Sequence, residues 1–224
     1  MARRWWIAAL GTIFGALLLL GDLTDDVSEH NGQTLHDASR LDFFTDHRPH
    51  LLVSAAKVVT DLGAVSVLAV LAIAISVLLW RRRIPLVLAL APLVALAVSA
   101  TCVAIMKSVI GRARPPVGLH LVSERDASFP SGHATDSTAL FLTVGIVLAA
   151  FVLRRPLARV LVVAGAALLV GAIGVTRLVL GVHWPTDVIA GWSLGFAIAL
   201  AVTLFSAVLL RSTGWRRPAL RGSP

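Results

Sequence analysis

The sequence predicts an all-α fold, an integral membrane bundle of six transmembrane helices with both termini cytoplasmic. Three observations carry that prediction. Apolar runs of spanning length recur along the whole chain, arginine clusters separate alternate runs, and acidic residues fall between the others. Hydrophobic residues make up 57% of the 224 and charged residues 14%, against about a quarter charged in a soluble domain. Mean hydropathy is +0.86. A span takes roughly 20 apolar residues at about 1.5 Å rise each, so the chain accommodates one membrane-embedded domain over 1–224 and no second, soluble one.

The first run, about residues 5–20, follows Met-Ala-Arg-Arg and has the outline of a secretory signal. Leu20-Gly21-Asp22-Leu23 lacks the small-x-small cleavage pattern, so the run reads as a retained anchor. Five more follow, at about 60–79, 84–106, 134–153, 161–179 and 188–210. In this arrangement Arg3, Arg4, Arg81, Arg82, Arg83, Arg154, Arg155, Arg159, Arg211, Arg216, Arg217 and Arg221 share one side, which the positive-inside rule makes cytoplasmic. Asp22, Asp46, Asp61, Glu124, Asp126, Asp136 and Asp187 fall at or near the other side. The net charge of +8 therefore reads as topology, and not as the solvated basic face of a nucleic-acid binder. Cys102, the single cysteine, lies within an apolar run, which rules out an intrachain disulfide and a thiolate metal cluster.

Two long segments face outward, 21–50 and 107–133. The first is acidic; its His30, His36, His47 and His50 show no metal-site spacing and read as solvated loop residues. The second breaks the charge rule, because Lys107, Arg112, Arg114 and Arg125 do nothing for topology there and call for an anionic partner. Arg112 and Arg125 read as interfacial cations, and Lys57 with Asp61 as an i,i+4 helix pair. Trp5, Trp6, Trp80, Trp184 and Trp215 near span ends read as interfacial anchors.

Three polar stretches meet on the outer face, where ionisable residues at membrane depth point to function. They are Lys107 to Pro115, Pro130-Ser131-Gly132-His133, and Arg177 to Asp187. Lys107 offers a compact charge, while Arg114 and Arg177 offer planar forks that match phosphate oxygens. Ser131 and Gly132 precede a span, where unpaired N–H groups and the helix dipole favour an anion. His133 and His183 are the candidates for nucleophilic attack and proton transfer. Asp187, four residues after His183 at a helix start, is placed to hold one ring nitrogen and leave the other to attack phosphorus. His133 then protonates the departing oxygen. Asp136, three residues past His133, is a candidate hydrogen-bond partner for that imidazole.

These stretches resemble the signature of the type 2 phosphatidic acid phosphatase superfamily, which also includes glucose-6-phosphatase and the vanadium haloperoxidases. Its pattern is a lysine, six residues, Arg-Pro; then Pro-Ser-Gly-His; then Ser-Arg, five residues, His, three residues, Asp. Every element stands here in order, in a motif core over 107–187, with Thr176 in place of the serine. The resemblance implies a phosphohistidine at His183 oriented by Asp187, with His133 as acid and then base. It also implies Lys107, Arg114, Ser131, Gly132 and Arg177 as phosphate ligands, with no metal and no cofactor.

The function expected is an extracytoplasmic, cell-membrane phosphatase for a lipid phosphate or diphosphate, without a nucleic-acid partner. A polyprenyl diphosphate is favoured over phosphatidylglycerophosphate, phosphatidate or a phosphorylated polyprenyl sugar. A haloperoxidase is expected to be soluble, and a non-catalytic binder to lack one of these residues. A phosphotransferase would use the same phosphohistidine and stays open.

Overall fold

The computed structural model describes residues 2–212, with side chains from residue 6 onward. Trp215, Arg216, Arg217 and Arg221, and the side chains of Arg3, Arg4 and Trp5, lie outside the described residues. The described residues form helices and connecting turns: α1 (Ala2–Glu29), α2 (Asp37–Asp46), α3 (His50–Asp61), α4 (Val65–Arg81), the single turn α5 (Leu86–Ala89), α6 (Ala91–Ile110), α7 (Gly132–Val147), α8 (Pro156–Val179) and α9 (Pro185–Ser212). Pro156 and Pro185 open their helices, where a missing N–H costs nothing.

Five helices are long and apolar enough to cross a membrane, and the count reaches six if α3 and α4, bent by 52° across a short break, form one span. The second predicted span therefore differs from expectation: α4 supplies its apolar length, and residue 60 belongs to a separate amphipathic helix. The break falls at Gly63, where a side chain would meet Ile173 Cγ2 at 2.6 Å and His133 Cδ2 at 3.0 Å. The first span is longer than predicted, because α1 continues through Asp22, Asp25 and Asp26 with Leu20, Leu23 and Val27 turned inward. Segment 21–50 is accordingly helical over most of its length.

α7 and α9 form the centre, with 56% and 50% of their most apolar stretches buried, against 11–22% for the others. They approach closely because α9 carries Gly191 and Gly195, a small-xxx-small pair. A Cβ on Gly191 would lie 2.9 Å from the Ser131 carbonyl, and one on Gly195 would strike that of Thr135. Leu20, Leu23 and Val27 of α1 pack with Ala190, Leu194 and Ile198 of α9. Outward, Phe14, Leu18, Val70, Ile73, Leu168 and Phe205 stay exposed, an apolar belt that water would not tolerate and lipid would. Arg211 lies 4.7 Å from the Trp6 ring centroid, so the described ends of the chain meet at one end of the bundle.

Candidate active site

At the opposite end three chain turns bring the motif residues together. α6 stops at Gly111, whose φ of +62 suits glycine and whose N–H returns to the Lys107 carbonyl at 3.1 Å. The chain then crosses the bundle and is pinned by Ser128 N–H to the Arg112 carbonyl (2.9 Å) and Leu121 N–H to that of Leu180 (3.0 Å). α8 is followed by Gly181, φ +70, where any side chain would run into the Leu119 carbonyl. That turn delivers His183 to the mouth of a cavity of about 360 Å³.

Lys107, Arg114, Gly132, His133 and His183 line this cavity, with Glu124, Asp126 and Asp136 beside them and Val65, Ala100, Val103 and Ala104 as an apolar wall. Arg114 reaches furthest: its Nη1 donates to the Val182 carbonyl at 2.7 Å and lies 3.1 Å from His183 Nε2. A guanidinium can only donate, so Nε2 carries the lone pair and Nδ1 the proton. The Nδ1 proton points at Asp187 Oδ2, 3.3 Å away. Burial, and then the charges of Arg177 and Arg114, hold the His183 imidazole well below its ordinary pKa. The ring is therefore neutral, with its unprotonated nitrogen accepting from Arg114 at the cavity.

The cations are paired with two carboxylates from the crossing segment. Lys107 donates to Asp126 (2.6 Å) and the Ala127 carbonyl (2.7 Å), Arg114 to Asp126 (2.5 Å), and Arg177 to Glu124 and to Thr60 Oγ1 (2.8 Å). Burial alone would raise the Asp126 carboxyl, but its bonds from Lys107 and Arg114 outweigh that and hold it at about 2. Arg177 and Ser131 stand behind the wall: both are fully buried, with Arg177 Nε and Ser131 Oγ unpartnered. The Ser131 N–H donates to the Asp187 carbonyl, 3.0 Å, joining the two histidine-bearing stretches.

Asp136 differs from expectation. Its carboxylate accepts from Ser99 Oγ at 2.7 Å on the cavity wall, and no hydrogen bond links it to His133. No ion pair joins Lys57 to Asp61 among the described residues, both side chains facing outward. Arg112 differs most. Expected at the interface, it turns inward after Gly111 and donates to Asp187 Oδ1 (2.5 Å), Thr186 Oγ1 (2.7 Å) and Asp37 Oδ2 (2.7 Å), with its guanidinium 5.7 Å from the Trp184 ring centroid. Asp37 in turn accepts from the Thr186 N–H at 3.1 Å and from Thr186 Oγ1 at 2.5 Å. Asp37 and Thr186 carried no local signal, because they meet each other across 149 residues of chain. The Arg-x-Arg spacing of 112 and 114 was the one available hint.

The chain matches the PAP2 superfamily over residues 88–210. It is 38% identical over 120 residues to a lipid A 1-phosphatase of Rhizobium etli (47% of this chain, 46% of the relative). It is 37% identical over 90 residues to a decaprenylphosphoryl-5-phosphoribose phosphatase of Mycolicibacterium smegmatis (39% and 43%). The chain thus spans about half the length of the curated relatives it matches. Its fold is that of a transmembrane PAP2-type phosphatidylglycerolphosphate phosphatase from Bacillus subtilis, with a TM-score of 0.80 at 24% identity over 88% of this chain and 97% of that one. Five helices long and apolar enough to cross a membrane, or six with α3 and α4 as one, make it a multi-pass membrane protein.

Proposed function

Because the chain belongs to the PAP2 superfamily, we propose that it is a metal-independent membrane phosphatase that removes phosphate from a lipid phosphate or diphosphate through a phosphohistidine. One observation carries the reading. His183 presents an unprotonated Nε2 to a cavity that also holds Lys107 and Arg114, while its Nδ1–H faces a buried carboxylate.

The incoming phosphate takes the place of Asp126 on Lys107 and Arg114, gaining several charge-assisted bonds. Nε2 of His183 attacks phosphorus in line, the bond from phosphorus to the leaving oxygen breaks, and His133 gives that oxygen its proton. Positive charge develops on the ring and is met by Asp187. In the second half His133 takes a proton from water, the hydroxide displaces the imidazole from phosphorus, and inorganic phosphate leaves. Lys107, Arg114 and the N–H groups at the start of α7, where Gly132 stands, hold the equatorial oxygens throughout. Ser131 and Arg177 brace the cavity from behind.

The cavity has an apolar wall of Val65, Ala100, Val103 and Ala104 beside its cations, which suits a lipid substrate. A polyprenyl diphosphate is our first candidate, ahead of phosphatidylglycerophosphate, phosphatidate and a phosphorylated polyprenyl sugar. We read six spans, counting α3 with α4 as one, both termini cytoplasmic and the site extracytoplasmic. The meeting of Trp6 and Arg211 at the end away from the site supports that orientation.

The test is phosphate release in detergent with chelator from a panel of lipid phosphates and diphosphates, beside His183→Ala. The parent is expected to release phosphate and the variant to fall to background. Release that persists in the variant sinks the phosphohistidine route. A parent that transfers phosphate only to added alcohols is a phosphotransferase.

A further inference from the structure

We propose that Asp37 is a positioning residue for His183, acting through Arg112 and Asp187, and that delivering it is a function of segment 21–50. The proposal rests on the phosphohistidine reading only for its kinetic arm.

The contact that orients His183 is by itself weak. Asp187 Oδ2 is 3.3 Å from Nδ1, and the same oxygen accepts the Trp184 N–H at 2.9 Å. What fixes the carboxylate plane is the other oxygen, held by Arg112 at 2.5 Å. Arg112, a long flexible side chain, needs its own anchor. Asp37 supplies it with one oxygen and with the other takes the Thr186 N–H, in the first turn of the helix that bears Asp187. Asp37 thereby ties the guanidinium and the start of α9 into one rigid unit. The groups around the guanidinium are dry, with Asp37 2% exposed and Thr186 and Asp187 0%, while Arg112 itself keeps 13% of its side chain exposed.

Charge bookkeeping gives Asp37 a second task. Asp187 alone would be cancelled by Arg112, leaving a neutral pair beside an imidazole that becomes cationic as Nε2 bonds to phosphorus. With Asp37 included, two carboxylates face one guanidinium, and a net negative charge remains to meet the cation. Low dielectric makes that charge effective.

The outer segment is built to deliver this residue. Asp37, Leu41 and Thr45 recur every four residues and form the buried face of α2, where Leu41 packs with Leu178 and Val188. Arg48 then fastens the segment to the carbonyls of Leu119 (3.0 Å) and Val179 (3.1 Å), next to the turn that presents His183.

The experiment uses the full-length protein in detergent. Asp37→Asn is expected to lower kcat by roughly 10- to 100-fold, the range that outer-shell partners of metal-bound histidines command, with KM within about twofold. In an Asp187→Asn background the same change is expected to cost less than about twofold, since its effect passes through Asp187. Nitrogen-15 spectra of histidine-labelled protein give a readout independent of turnover. The His183 signals, identified by their loss in His183→Ala, show one Nδ1–H tautomer in the parent and tautomer averaging in Asp37→Asn. If Asp37→Asn does not fold, Arg112→Lys serves instead, because one ammonium cannot bridge both carboxylates. It is expected to show the same kcat loss and the same averaging. Unchanged His183 signals, or a loss in the Asp187→Asn background as large as in the parent, overturns the proposal. An inactive parent whose His183 signals still respond to Asp37→Asn refutes the phosphatase reading and leaves Asp37 as the positioning residue.

Discussion

His183 has two charged neighbourhoods, one on each ring nitrogen, and they are built differently. On the cavity side it is the carboxylates that are open to water, Asp126 (57% exposed) on Lys107 and Arg114 and Glu124 (23%) on Arg114, while the cations themselves are as buried as that of the rear. On the rear side Arg112 pairs with Asp37 and Asp187, 3% and 0% exposed. Wet pairs are worth little and exchange readily. Dry pairs are costly to break because the survivor stays charged and buried. The front can therefore hand its cations to a phosphate and take them back, while the rear keeps its geometry through the cycle.

Two arginines, 112 and 114, separate these roles most sharply. Arg112→Ala strands two buried carboxylates and is expected to cost about 3–5 kcal/mol of stability, read as thermal unfolding in detergent. Arg114→Ala leaves the Val182 carbonyl without its donor but its carboxylate partners in water, and is expected to cost about 1–3 kcal/mol while lowering the rate by roughly 10²- to 10³-fold, as the loss of one transition-state donor does. Equal stability losses would erase the distinction between front and rear.

Gly63 marks a tight point in the front wall. Gly63→Ala puts a methyl against Ile173 and His133, an overpacking of about 1–3 kcal/mol. Because the His133 ring must yield, kcat is expected to fall more than KM changes. A variant with parental kcat would show that His133 moves freely in its pocket.

The front of the site was the legible part. Phosphate chemistry restricts residue types, and with the family resemblance it singled out eight residues; Lys107, Arg114, Gly132, His133 and His183 line one cavity, while Asp187, Ser131 and Arg177 stand behind it. The rear was not legible, since Asp37 and Arg112 are 75 residues apart and nothing local distinguishes a buried Asp from a solvated one. Hydropathy found the long apolar helices and misjudged their ends for a related reason. It registers apolar content and not contacts, so it stopped α1 at its first aspartate and missed the break that Gly63 makes between α3 and α4.

The smallest expected effect tests the exchange itself. Asp126 occupies the cations that phosphate needs, so Asp126→Asn removes a competitor and a repelling charge. The variant is expected to bind inorganic phosphate, as a product inhibitor, roughly threefold to tenfold more tightly, for a stability change under about 1 kcal/mol. The sign against pH follows from the carboxyl being held at about 2, below its ordinary 3.8. A depressed acid stabilises the fold above its unfolded pKa and loses that contribution as pH falls through the folded one. Asp126 is thus ionised throughout the working range, and the ratio of variant to parent inhibition should be the same at pH 5 and pH 8. The stability gap between parent and variant should be constant above about pH 4 and close as pH falls from about 4 to about 2. Weaker phosphate inhibition in Asp126→Asn would mean that the carboxylate helps to hold the cations in place for phosphate, and the front would then be as fixed as the rear.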